Sequence, residues 1–150
     1  MAFTSIVLPQ DYGYVLLAAT STYFVNFYHI VLTSSARKAS GITYPAAYAS
    51  NEQAEKDPKA YAFNCAQRAH ANFSENVTPF LATLLVAGLR YPVVAGGMGI
   101  AWCVSRAVYA AGYTSKAGPK GRSVGAISSR LLDLGLAGMA IFTSYKLITA

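Results

Sequence analysis

Arg68, Asn72 and Glu75 are spaced i, i+4, i+7. On a helix that spacing keeps a guanidinium, an amide and a carboxylate within an arc of about 60°. Arg106, Tyr109 and Tyr113, spaced i, i+3, i+7, make a second one-sided stripe. Asp133 follows Arg130 by about one helical turn. Further cations, Arg37, Lys38, Lys120 and Arg122, lie in polar stretches between apolar segments. Such a set would hold a zwitterionic molecule with several carboxylates. The set offers cations, one or two carboxylates, and amide and phenol groups. Other chemistries find no residues to carry them. There is no Ser-His-Asp arrangement in reach, no His/Cys cluster with metal spacing, and no phosphate-loop motif. No metal is expected. His70 points about 200° away from Arg68 on a helix and reads as an interfacial packing residue.

The elements that must position these groups are membrane helices. Hydrophobic residues make up 54% of the 150-residue chain and charged residues 12%, about half the usual charged share. Four apolar stretches, at 12–35, 64–89, 92–113 and 124–148, are each long enough to cross a hydrocarbon core of about 30 Å. The expected fold is all-α, a single domain over 1–150 built as an integral membrane four-helix bundle. The connection Arg90-Tyr91-Pro92 is so short that the second and third segments must be antiparallel neighbours. Leu89 placed at one edge of the core puts Glu75 about 9 Å inside the other. Arg106 lies as far from Pro92 as Glu75 does from Leu89. The two are therefore expected at one depth, with Arg106 as counter-ion to Glu75 or to Asp133. A charge at mid-membrane costs at least about 2.5 kcal/mol, so these side chains should face the bundle interior.

The remaining features set topology. Loops near 36–63 and 114–123 carry seven Lys/Arg, against Arg90 and Lys146 on the other side. Both loops are therefore expected in the cytosol. The loop over 36–63 reads as long and polar. Basic residues are not interleaved with aromatics outside the apolar segments, which argues against nucleic acid. The start, "MAFTSIVLPQDYGYVLL", has no basic n-region or clear cleavage site, so no removed signal peptide is expected. Cys65 and Cys103 lie inside apolar segments and read as buried, inert thiols. "AGGMG" (95–99) and "GLAGMA" (135–140) read as helix-packing surfaces.

"FNCAQRAHANFSENVTPFLATLLVAG" (63–88) resembles the second helix of the MAPEG family, the membrane-associated proteins of eicosanoid and glutathione metabolism. "DYGYVLL" (11–17), "ITYPAAYAS" (42–50), "GIAWCVSRAVYAAGY" (99–113) and "PKGRS" (119–123) extend the resemblance over nearly the whole chain. Within the family it lies nearest the type-3 microsomal glutathione transferases. The resemblance implies a homotrimer of four-helix protomers, with glutathione as co-substrate held between neighbours. Arg37, Lys38, Arg68, Asn72, Glu75, Tyr109 and Tyr113 fall at the family's glutathione contacts. Arg122, with Lys120 second, falls at its thiol-activating cation. His70 and Asn76 stand where leukotriene-forming members carry glutamine and tyrosine, so the resemblance points away from leukotriene synthesis. It implies a transferase or peroxidase acting on a lipophilic electrophile or lipid hydroperoxide drawn from membrane lipids. The endoplasmic reticulum is the implied membrane, with the outer mitochondrial membrane as alternative. The rival reading is a non-enzymatic lipid-binding protein of the same fold.

Overall fold

The computed structural model describes residues 7–149. Residues 1–6, part of the stretch read above for a signal peptide, lie outside them. Four long helices carry the fold: α1 (Gly13–Ser40), α3 (Pro58–Gly88), α4 (Pro92–Tyr113) and α5 (Ser123–Ile148). A short α2 (Asn51–Lys56) joins the first pair, so the described residues form five α-helices rather than four. The long first loop is thereby corrected. Gly41, at φ 69°, closes α1 as a left-handed cap and its N–H bonds the Arg37 carbonyl. Ser50 and Gln53 form a reciprocal capping box that starts α2. The Asp57 side chain accepts from the Lys59 N–H, and Pro58 occupies the first turn of α3. Polar composition over 36–63 had hidden helix signals that are local and made of polar residues.

Three helical stretches, Gln10–Ser40, Pro92–Tyr113 and Gly118–Ile148, are long and apolar enough to cross a membrane. The polar half of α3 keeps it below that measure. It packs against α1, α4 and α5. The core between these helices is aromatic and aliphatic: Phe80 stacks on Trp102 at 3.8 Å between centroids, and Val15, Leu84 and Leu136 are fully buried. The glycine run of α4 works as expected at two positions. A Cβ at Gly96 would strike the Tyr14 backbone, and one at Gly99 would strike Ala18. Gly97 and Gly138 face open space. Both cysteines are buried and free.

Candidate binding site between α3, α4 and α5

The polar stripe of α4 is the centre of the site. Arg106 is only 4% exposed, and Tyr109 and Tyr113 are buried beside it. The Arg106 guanidinium lies 4.4 Å from the Tyr109 ring centroid. Its Nη2–H donates to Asn72 Oδ1 at 2.8 Å, which ties the stripe of α4 to that of α3. Asn72, Arg106, Tyr109, Arg122, Arg130 and Asp133 line one cavity of about 210 Å³. Three guanidiniums face one carboxylate there, so the cavity favours an anion.

Arg122 reaches this centre because α5 begins hard against α4. A turn containing the short 3-10 segment Gly118–Lys120 reverses the chain. A Cβ on Gly121 would lie 2.2 Å from the Gly112 carbonyl oxygen, and one on Gly125 would lie 2.4 Å from the Tyr109 backbone nitrogen. Only glycine permits this approach. It sets Arg122 Nη1 at 3.5 Å from the Tyr109 hydroxyl and its guanidinium carbon 5.3 Å from the Tyr113 ring. Lys120 is exposed on the turn and makes no side-chain contact of this kind. Gly121 and Gly125 escaped the sequence reading. Their signal was a small residue on each side of the one basic residue that must approach α4.

The other expected site residues divide. Arg68 and Glu75 pair with each other along α3, at 2.8 and 3.3 Å, and stay about half exposed. The expected Glu75–Arg106 pair is therefore not formed, and Arg106 has no ion pair among the described residues. Equal depth did not mean equal azimuth: Arg106 points at Asn72, while Glu75 reaches back along its own helix. Arg37 lies apart from the cavity. It donates to the Ala46 carbonyl at 2.8 Å and sits over the Tyr44 and Phe63 rings at 4.3 and 4.4 Å. There it pins the segment 41–50, with exposed Lys38 on the same groove. His70 turns away from the stripe, as read from sequence. It hydrogen-bonds Asn26 at 3.2 Å and stacks on buried His29. Asn26 and His29 were missed, since a polar residue inside an apolar run has no visible partner until the helices are paired.

Among models of known protein families, the one described as the MAPEG family matches residues 15–142.

Proposed function

The chain belongs to the MAPEG family, which includes membrane glutathione transferases, and we propose that this integral membrane protein is one of them. The carrying observation is the convergence of Asn72, Tyr109 and Arg122 on one cation-rich cavity. In this reading the cavity takes the reactive end of glutathione. Arg68 and Glu75, already paired on the neighbouring stripe, exchange that bond for a glutathione carboxylate and amine. Tyr109 and Tyr113 orient the peptide. Half-exposed charges on the polar half of α3 are costly wherever they meet lipid, and a second protomer covering α3 would remove that cost. This favours self-association, and in the homotrimer that the family resemblance implies, Arg37 and Lys38 of a neighbour complete the carboxylate contacts.

The chemistry asks one thing of the protein. A free thiol of this type has a pKa near 8.5 and is only a few per cent thiolate at pH 7. A cation within about 4–6 Å favours the thiolate. Arg122 supplies that charge and cannot act as a base, since its guanidinium keeps its proton; the thiol proton leaves to solvent. The thiolate then attacks a lipophilic electrophile, forming a carbon–sulfur bond as a leaving group departs with its electron pair, or as a conjugated double bond takes up the pair and a proton from solvent. Alternatively it attacks a lipid hydroperoxide and breaks the O–O bond, which releases the alcohol and leaves a sulfenic sulfur that a second glutathione converts to the disulfide with loss of water. Purified protein in detergent tests the reading: it should conjugate glutathione to an apolar electrophile or reduce a lipid hydroperoxide. Binding of lipid with neither activity, and no binding of glutathione, would favour the lipid-binding rival and refute the transferase.

A further inference from the structure

Arg106 is the one fully interior cation of the described residues that the proposed chemistry leaves without a task. It is 96% buried by its 4% exposure, and its Nε finds no hydrogen-bond partner. No carboxylate lies within ion-pair distance among the described residues. A buried charge in that condition is expensive, so its retention calls for a use.

The contact it does make supplies one. A guanidinium has five donors and no acceptor, whereas an asparagine amide has one end of each kind. Only Oδ1 of Asn72 can therefore face Arg106, as it does at 2.8 Å. Asn76 does not compete for that oxygen: its Nδ2 donates to the Asn72 backbone carbonyl at 2.7 Å. The bond fixes which way the Asn72 amide faces: Oδ1, which keeps a second lone pair, is turned to Arg106, and the two N–H donors lie on the opposite side. We infer that Arg106 is a positioning residue that fixes the Asn72 amide with its donors toward the bound tripeptide. The inference rests on the transferase reading and adds to it a direction of hydrogen bonding: Asn72 meets glutathione with its N–H donors.

A double-mutant cycle on glutathione binding tests this, measured by calorimetry on the purified protein in detergent, with thermal unfolding of each variant alongside. Asn72→Ala should weaken binding roughly tenfold, the loss of one or two hydrogen bonds. Arg106→Lys keeps the charge but not the planar fork, and should weaken it several-fold by freeing the amide. If Arg106 acts through Asn72, Arg106→Lys should cost nothing more in the Asn72→Ala background. Losses that multiply independently would overturn the inference. Asn72→Asp is a check that leaves Arg106 intact. A carboxylate still accepts from Arg106 but cannot donate, so binding should fall about as far as with Asn72→Ala while thermal stability holds. Wild-type affinity in Asn72→Asp would also overturn it. Wild-type protein that fails to bind glutathione sinks both this inference and the reading beneath it. Wild-type protein that binds, with independent losses, sinks this inference alone.

Discussion

Gly125→Ala should damage activity well beyond its effect on stability. The added methyl would sit 2.4 Å from the Tyr109 backbone nitrogen and 2.5 Å from the Ser105 carbonyl oxygen. Both obstacles are helix backbone, so no side chain can swing aside. Comfortable heavy-atom contact begins near 3.5 Å, and relief demands that α5 retreat from α4 by about 1 Å. Overpacking of this kind costs roughly 1–3 kcal/mol. The functional cost comes from Arg122, three residues earlier. Its 3.5 Å contact with the Tyr109 hydroxyl is already at the limit of a hydrogen bond, and a further 1 Å abolishes it. Misplacement of a catalytic group by that amount can cost about 100-fold in rate. Gly138→Ala in the same helix is the control: nothing lies within 4 Å of its Cβ position, and helical Gly→Ala there should gain about 0.5–1 kcal/mol. Thermal unfolding and glutathione conjugation would be measured on both. If Gly125→Ala matched Gly138→Ala in both assays, the close approach would not be what seats Arg122. A loss of stability with unchanged turnover would show that the approach joins the helices without positioning the cation.

Arg122→Ala should lower kcat about 100-fold with little change in glutathione affinity, the loss of about 3 kcal/mol of transition-state stabilisation. The ultraviolet absorbance of the bound thiolate should titrate at higher pH than in wild type, and a shift in Lys120→Ala instead would reassign the cation. Arg68→Ala should mainly raise the glutathione KM, because it faces a carboxylate that does not react; a kcat effect alone would contradict that role. A cycle on thermal stability should give Asn72 and Arg106 a coupling of about 1.5–3 kcal/mol, the range for a hydrogen bond to a charged group. Glu75 and Arg106 should couple by less than about 0.5 kcal/mol, and the reverse order would refute the observed pairing. Protease or labelling reagents should reach Lys56–Lys59 from the cytosolic side, and access at Arg90 from that side would invert the orientation.

Helical periodicity and hydropathy made the four long helices legible, because a membrane span needs a run of apolar residues that few other structures require. The segments at 92–113 and 124–148 match α4 and α5 within a residue. The starts of α2 and α3 were lost, since caps such as Ser50 and Asp57 act through single hydrogen bonds in a polar background. The stripes Arg68–Asn72–Glu75 and Arg106–Tyr109–Tyr113 were legible because residues on one helix share a face by fixed geometry. Which stripe meets which residue across a helix pair was not. That depends on rotation about each axis, which depth counting ignores, and it is why Glu75 was matched to Arg106 when Arg68 holds it. Arg37 stands among the glutathione contacts by the resemblance, and its contacts with Tyr44, Phe63 and the Ala46 carbonyl within the protomer depend on the path of 41–50, which spacing along α1 does not show.

The choice of partner for Arg106 bears on why the site is cationic at all. A carboxylate in place of Asn72 would neutralise Arg106 and strengthen the helix contact, since charge-assisted bonds are about twice as strong as neutral ones. It would also cancel the positive potential of the cavity. An amide satisfies one N–H of the guanidinium and leaves the charge in place. With Arg106, Arg122 and Arg130 set against Asp133 alone, the cavity keeps a surplus of positive charge in a setting where screening by water is weak. That surplus costs stability in the protein by itself and is repaid when an anion enters. Glutathione presented as thiolate brings the charge the cavity lacks. Stabilisation of the folded state by glutathione should therefore grow as pH rises from the lowered pKa of the bound thiol toward that of the free thiol, near 8.5. A methylated glutathione, which has no thiolate to form, should stabilise less and show no such pH dependence. Equal protection by both ligands at every pH would place the compensating anion at a carboxylate and remove the thiolate from this cavity.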